Sequence, residues 1–355
     1  MQTLRFTATP SFYNDLRQRV NQYFTETNQE QTGNIWVHIK ALYFIVSLIV
    51  SYIYLVFYTP SAIIALPICV YMGIMTAGVG FNVMHDGAHG SFSKSRTVNK
   101  AAAFTLSMMG GSHFMWNLKH NNVHHVFTNV DGVDDDIDIR PFLRLCETQK
   151  HHPMHRFQHM YFVVLYGTMH FFWMFWLDYK KYFRKRIGNI PLTKHNMPLI
   201  DHIIFWAGKF TCYFIMLGLP IYKLGLVPAL TGYAVFVVVT GFLISIVFQL
   251  AHTVEHTDFP MPDNVGKFEN EWAIHQVQTT ANFATGNRLV TWFVGGLNFQ
   301  IEHHLFPKVS HVHYPSLSRI VRETCAEYNV HYNEFPHMTA AVQSHVRYLK
   351  HLGQV

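Results

Sequence analysis

Three stretches of this 355-residue chain place histidines at the spacing of metal ligands. His85 and His89 stand in NVMHDGAHGS, His120, His124 and His125 in WNLKHNNVHHVFTN, and His303 with His304 in NFQIEHHLFP. The chain has 25 histidines, so chance pairs are expected and spacing must carry the reading rather than number. On an α-helix, residues four apart share a face, so His85/His89 and His120/His124 can each aim two imidazoles at one point. Adjacent histidines flank a cleft from neighbouring faces. A lone histidine is commonly just hydrogen-bonded, whereas convergent imidazoles point to a metal. His252, in FQLAHTVEH at the end of an apolar run, is a fourth contributor, because an ionisable group there needs a partner. Seven or eight nitrogen ligands exceed the four of a structural zinc site and imply two ions. Imidazole suits zinc, copper, iron and nickel alike, and chemistry beside a bilayer favours a redox metal. His113, His151, His152, His155, His195, His311, His313 and His331 keep the ordinary structural reading, and the roles of His256 and His275 stay open.

The elements that must position these groups are membrane helices. Half the residues are hydrophobic, 14% are charged and 30 are Phe, poor material for a solvated surface. Four runs reach the length that spans a bilayer core: Ile39 to Tyr58, Ala62 to Phe81, Ile203 to Tyr222 and Leu226 to Leu250. Met160 to Leu177 is aromatic-rich but contains His170, which favours a helix in the interface over a full span. Lys and Arg cluster between residues 90 and 200 and after 260, so those segments, both termini and the histidines are expected on the cytoplasmic side. The formal net charge of +6 suits an anionic lipid surface, and no motif supports nucleic-acid binding. The expected fold is an all-α integral membrane protein, four transmembrane helices carrying a cytosolic helical cap. Its divisions are an interfacial segment (1–38), a membrane domain with cap (39–325) and a C-terminal cytosolic tail (326–355).

Residues 1–31 lack the apolar stretch of an export signal. Phe12, Leu16, Val20, Tyr23 and Phe24 recur at helical spacing after Ser11, giving a helix that lies either on the membrane surface or on the protein's own body. Cys69, Cys146, Cys212 and Cys325 are scattered and imply no disulfide framework. Asp86, beside His85, is expected to orient a ligand imidazole through its second N–H. The acidic run DGVDDDID (131–138) reads equally well as a solvated loop.

HDGAH, HNNVHH and QIEHH resemble the three histidine boxes of the membrane fatty acid desaturase family, in the same order and membrane context, over about residues 40 to 325. Gln300, where other branches carry a third-box histidine, is similar to the front-end subgroup, whose members place a double bond between an existing one and the carboxyl end. The resemblance implies a di-iron, oxygen-dependent enzyme. It also implies the ligands His85, His89, His120, His124, His125, His303 and His304, with His252 as the isolated ligand after the last span. No HPGG heme motif of a fused cytochrome b5 is present, so electrons are expected from a separate ferredoxin or cytochrome b5 and its reductase.

Removing hydrogen from an unactivated methylene needs an oxidant no side chain provides, so the metal must supply it while the protein positions the chain. The substrate is expected to be a fatty acyl-CoA or acyl lipid. Trp116, Asn117, Lys119, Arg140, Arg144 and Arg288 are candidates for meeting its phosphate or headgroup. Gln300, at i−3 and i−4 from the histidine pair, is expected on their face as a catalytic group. An acyl hydroxylase sharing the boxes is the rival enzyme. A metal transporter would need polar ligands at mid-membrane, which these apolar runs lack.

Overall fold

The computed structural model describes residues 4–7, 11–187, 190–191 and 197–355; His195 lies outside them. Two compact units emerge, each built from segments distant in sequence. One contains Asn34–Leu118 and Val163–Ile246, the other Met1–Gly33, Lys119–Phe162 and Val247–Val355.

Among the described residues, five helices are long and apolar enough to cross a membrane: Ile35–Tyr58, Ala62–His89, Pro153–Arg184, Leu199–Leu224 and Leu226–His252. Four coincide with the runs read from the sequence, and the added one covers the aromatic segment around His170. Their outer faces expose large apolar side chains such as Ile63, Phe210, Tyr222 and Val227, as lipid contact requires. Inside the first unit, glycines let backbones approach. A Cβ on Gly241 would lie 2.7 Å from Gly167 O and 2.9 Å from Tyr166 O, so Leu226–His252 can pack closely there only without a side chain. Backbone atoms cannot swing aside as a side-chain tip can. Gly241→Ala is therefore expected to cost about 1–3 kcal/mol through overpacking, measured as a lower thermal midpoint in detergent; an unchanged midpoint would show that the helices separate freely.

The one charge inside Leu199–Leu224 away from its ends, Lys209, is buried and paired. Its Nζ lies 3.2 Å from Asp178 Oδ2 and donates to Met174 O at 2.9 Å, while Asp178 also accepts from Ser112 N and Trp173 Nε1. This is a satisfied ion pair, the form in which charge survives at membrane depth.

In the second unit, helix Ser11–Thr27 buries Phe12, Leu16, Val20 and Phe24 against Ala273, Val277, Ile301, Leu305, Leu317, Val321 and Cys325. Its apolar stripe is thus spent on the protein's own body rather than on lipid. Helix Met338–Leu352 is held by Arg144, whose guanidinium donates to the carbonyls of Gln149, Glu147, Leu352 and Val355. The bond to Leu352 satisfies an orphan carbonyl at the helix C-terminus, and the four together use the donors that a phosphate would need.

Candidate metal centre

The first histidine stretch forms the end of Ala62–His89. His85 and His89, one α-helical turn apart, have ring centroids 4.6 Å apart, and the Trp116 ring lies 5.9 and 6.2 Å from them. Gly87 between them is required by packing. A Cβ there would meet Ala102 Cβ and Ala103 N at 2.6 Å, on the helix Arg96–Met108. Gly90 then ends the turn at φ 77°, a conformation glycine adopts freely. Asp86 is buried, with Oδ1 3.9 Å from His85 Nδ1, longer than a hydrogen bond.

The second stretch departs from the expected geometry. His120–His124 is a π-helical turn, and the N–H of His125 donates to the carbonyl of His120. In an α-helix, at about 100° per residue, His120 and His125 would point roughly 140° apart. The wider turn, at about 4.4 residues, brings them to within roughly 50°. Their Nε2 atoms consequently lie 3.2 Å apart.

The third stretch is the short buried helix Gln300–Leu305. Asn282 sets it in place: its Oδ1 accepts from Ile301 N at 2.9 Å and its Nδ2 donates to Glu302 Oε2 at 2.7 Å. Tyr332 donates to the other Glu302 oxygen at 2.8 Å. Burial pushes the Glu302 carboxyl up to about 7, despite these two donors. Glu302 faces its partners, which leaves the flanking histidines to face the site.

In the second unit His124, His252 and His304 form a near-equilateral triangle, with ring centroids 4.7 Å apart for His124/His252 and 4.9 Å for the other two pairs. One nitrogen from each lies within 4.8 Å of the other two. Every ring is oriented from behind through Nδ1. His124 meets Asp134 Oδ2 at 2.9 Å, His304 meets Gln276 Oε1 at 2.8 Å, His252 meets Thr279 O at 3.3 Å, and neighbouring His303 meets the Tyr314 hydroxyl at 3.1 Å. The Asp134, Gln276 and Thr279 oxygens can only accept, so in the triangle they hold the ring proton on Nδ1 and present Nε2 as a lone pair. The Nε2 atoms of His124, His252 and His304 are buried and find no hydrogen-bond partner among the described residues. Three converging lone pairs without donors fit a cation, and imidazole suits iron, copper and zinc alike.

The electrostatics divide the triangle. Burial and the neighbouring imidazoles hold His304 well below the usual histidine value. For His124, burial also lowers the pKa, but Asp134 and Asp136 outweigh it and raise the value overall. Asp134 is the carboxylate that reaches an imidazole. The acidic run therefore contains an imidazole-orienting residue that its sequence did not separate from a solvated loop. Gln276, Tyr314 and Thr279 carried no signal, since nothing in their local sequence marks the contact each makes. Gln300 is buried, and its Oε1 has no partner among the described residues. Lys119 is half-buried and paired with Asp136 and Arg140 is paired with Asp138, so neither is free for a headgroup; Arg288 is exposed. His275 is structural, with Nε2 3.0 Å from Thr128 O and its ring against Phe6 and Phe268. His256 adopts φ 69° and packs near His331.

Five apolar helices among the described residues fit a multi-pass membrane protein, and its buried histidine clusters have the spacing to hold metal ions. Residues 60–336 match the fatty acid desaturase family model. The chain is 36% identical over 348 residues to an acyl-lipid (8-3)-desaturase of Physcomitrium patens, covering 96% of this chain and 72% of that protein. It is 34% identical over 359 residues to an sn-1 linoleoyl-lipid 6-desaturase of Synechocystis sp., covering 99% and 98%. An acyl-lipid (8-3)-desaturase of Mortierella alpina is 31% identical, with 96% and 78% covered. The chain belongs to the fatty acid desaturase family, and it is an oxidoreductase acting on acyl chains. That membership sets the transporter reading aside.

Proposed function

We propose that the chain is an oxygen-dependent acyl-lipid desaturase of the front-end type, with two iron ions held by His85, His89, His120, His124, His125, His252, His303 and His304. The observation that carries the reading is the convergence of the His124, His252 and His304 Nε2 atoms without a donor. His85 and His89 enter the ligand set through the family pattern. When bound, the ions supply the oxidising power that side chains lack. The chain's own residues do the rest. Asp134, Gln276 and Thr279 fix the tautomer and direction of His124, His304 and His252, Tyr314 holds the His303 ring, burial excludes water, and Gln300 offers a carbonyl oxygen in the site. Asp86 is buried beside the first pair but, at 3.9 Å from His85 Nδ1, does not bond that ring, so its influence there is electrostatic. The related lipid desaturases favour a glycerolipid-bound acyl chain over acyl-CoA.

Topology supports four crossings rather than five. If Pro153–Arg184 crossed fully, His252 would emerge on the face opposite His89, and the boxes could not share one centre. An interfacial Pro153–Arg184, with the basic run from Lys180 to Arg186 at its end, keeps both histidine ends and the termini on the cytoplasmic face. Electrons then come from a cytoplasmic ferredoxin or cytochrome b5 with its reductase. Expression in a host of known lipid composition tests the reaction. Lipids lighter by two hydrogens are expected, whereas products heavier by one oxygen would make the chain a hydroxylase.

A further inference from the structure

We propose that Asn129 is a positioning residue that sets the separation of His124 and His252, an inference that rests on the metal-centre reading above. Asn129 is fully buried just after the second histidine stretch, at φ 60°, a left-handed conformation that asparagine and glycine tolerate best. Its side-chain nitrogen donates to the carbonyl oxygens of His252 at 2.9 Å, Asp258 at 3.1 Å and Thr279 at 3.1 Å. The Thr279 carbonyl is the same oxygen that meets Nδ1 of His252. Its backbone N–H donates at 3.0 Å to Asp134 Oδ2, the same oxygen that meets Nδ1 of His124. One residue therefore grips the acceptor behind each of two imidazoles in the triangle.

A residue that merely closed a turn would need only the local bond to Asp134. The amide instead reaches partners 123, 129 and 150 positions away along the chain. With two amide protons for three carbonyls, one contact is shared, so the nitrogen sits where all three segments meet. Moving it would let the end of Leu226–His252 shift against the second stretch. That shift would separate the two Nε2 atoms.

Asn129→Gly tests this, because glycine keeps the left-handed backbone and the N–H to Asp134 while removing the amide. The purified full chain is expected to hold about one iron per chain in place of the wild type's two. Loss of an outer partner of this kind typically weakens metal affinity about 10–100-fold. In cobalt-loaded protein, the visible absorption assigned to the weakened ion should change with it. Two ions at wild-type affinity, with an unchanged cobalt spectrum, overturn the proposal. Should the glycine variant not accumulate folded, Asn129→Asp has the same size and backbone tolerance but turns an acceptor toward three carbonyls. Retention of both ions by that variant overturns the proposal equally. A wild-type chain that binds no metal overturns the metal-centre reading and the proposal together.

Discussion

His304→Ala should abolish desaturation and release iron. His304 is buried, its Nδ1 is fixed by Gln276 Oε1 at 2.8 Å, and its Nε2 completes the triangle with His124 and His252. Alanine removes one of three converging lone pairs, and the remaining two nitrogens cannot close the set. Iron content is expected to fall toward half and turnover by at least about 100-fold, since each ligand contributes to both binding and reactivity. The fold should survive: Gln276 keeps a donor in the Thr128 hydroxyl at 2.8 Å, and the short helix stays anchored by Asn282. Iron analysis and lipid mass spectrometry on the same membranes check both halves. Normal iron with normal product would remove His304 from the ligand set.

The second large effect is expected at Gln300, where stability and activity should move in opposite directions. A buried carbonyl oxygen without a donor costs about 1–3 kcal/mol in a folded protein, and Gln300 Oε1 has none among the described residues. Leucine keeps the volume and removes that cost, so Gln300→Leu should leave the thermal midpoint unchanged or higher and most of the iron in place. If the amide serves the metals as a weak ligand or by holding a bound water, desaturation should nevertheless be largely lost. Gln300→His should be milder, because it restores an imidazole. A packing role predicts the opposite pattern for leucine, near-normal turnover with little change in stability. Wild-type desaturation by the leucine variant would end the catalytic assignment.

The membrane helices were legible because an apolar run of about twenty residues matches the thickness of a bilayer core and little else, and the structure lengthens the four runs, most of all the second, which continues to His89. The stripe Phe12, Leu16, Val20 and Phe24 showed a helix but not what covers it, since lipid and protein cores select the same residues. Histidine spacing marked the site, yet the residues that aim the imidazoles were hidden. Gln276 and Tyr314 meet His304 and His303 from other helices, and nothing local distinguishes them from packing residues. Arg144 shows the converse: its charge suggested a phosphate contact, and the structure spends it on backbone carbonyls. Charge is visible in a sequence, but its hydrogen-bond partner is not.

The π-helical turn at His120–His124 bears on how this segment tolerates insertions and deletions. A five-residue turn is one residue longer than an α-helical turn would be. Deleting Asn121 or Asn122 would let the stretch relax to α-helical pitch and leave the first and last histidines four apart, again on one face. The segment can therefore exist in two lengths with its outer imidazoles still paired. His85 and His89 have no such latitude. They already sit at α-helical spacing around Gly87, whose contact with Ala102 and Ala103 fixes the register, so a length change there would turn one imidazole away from the other.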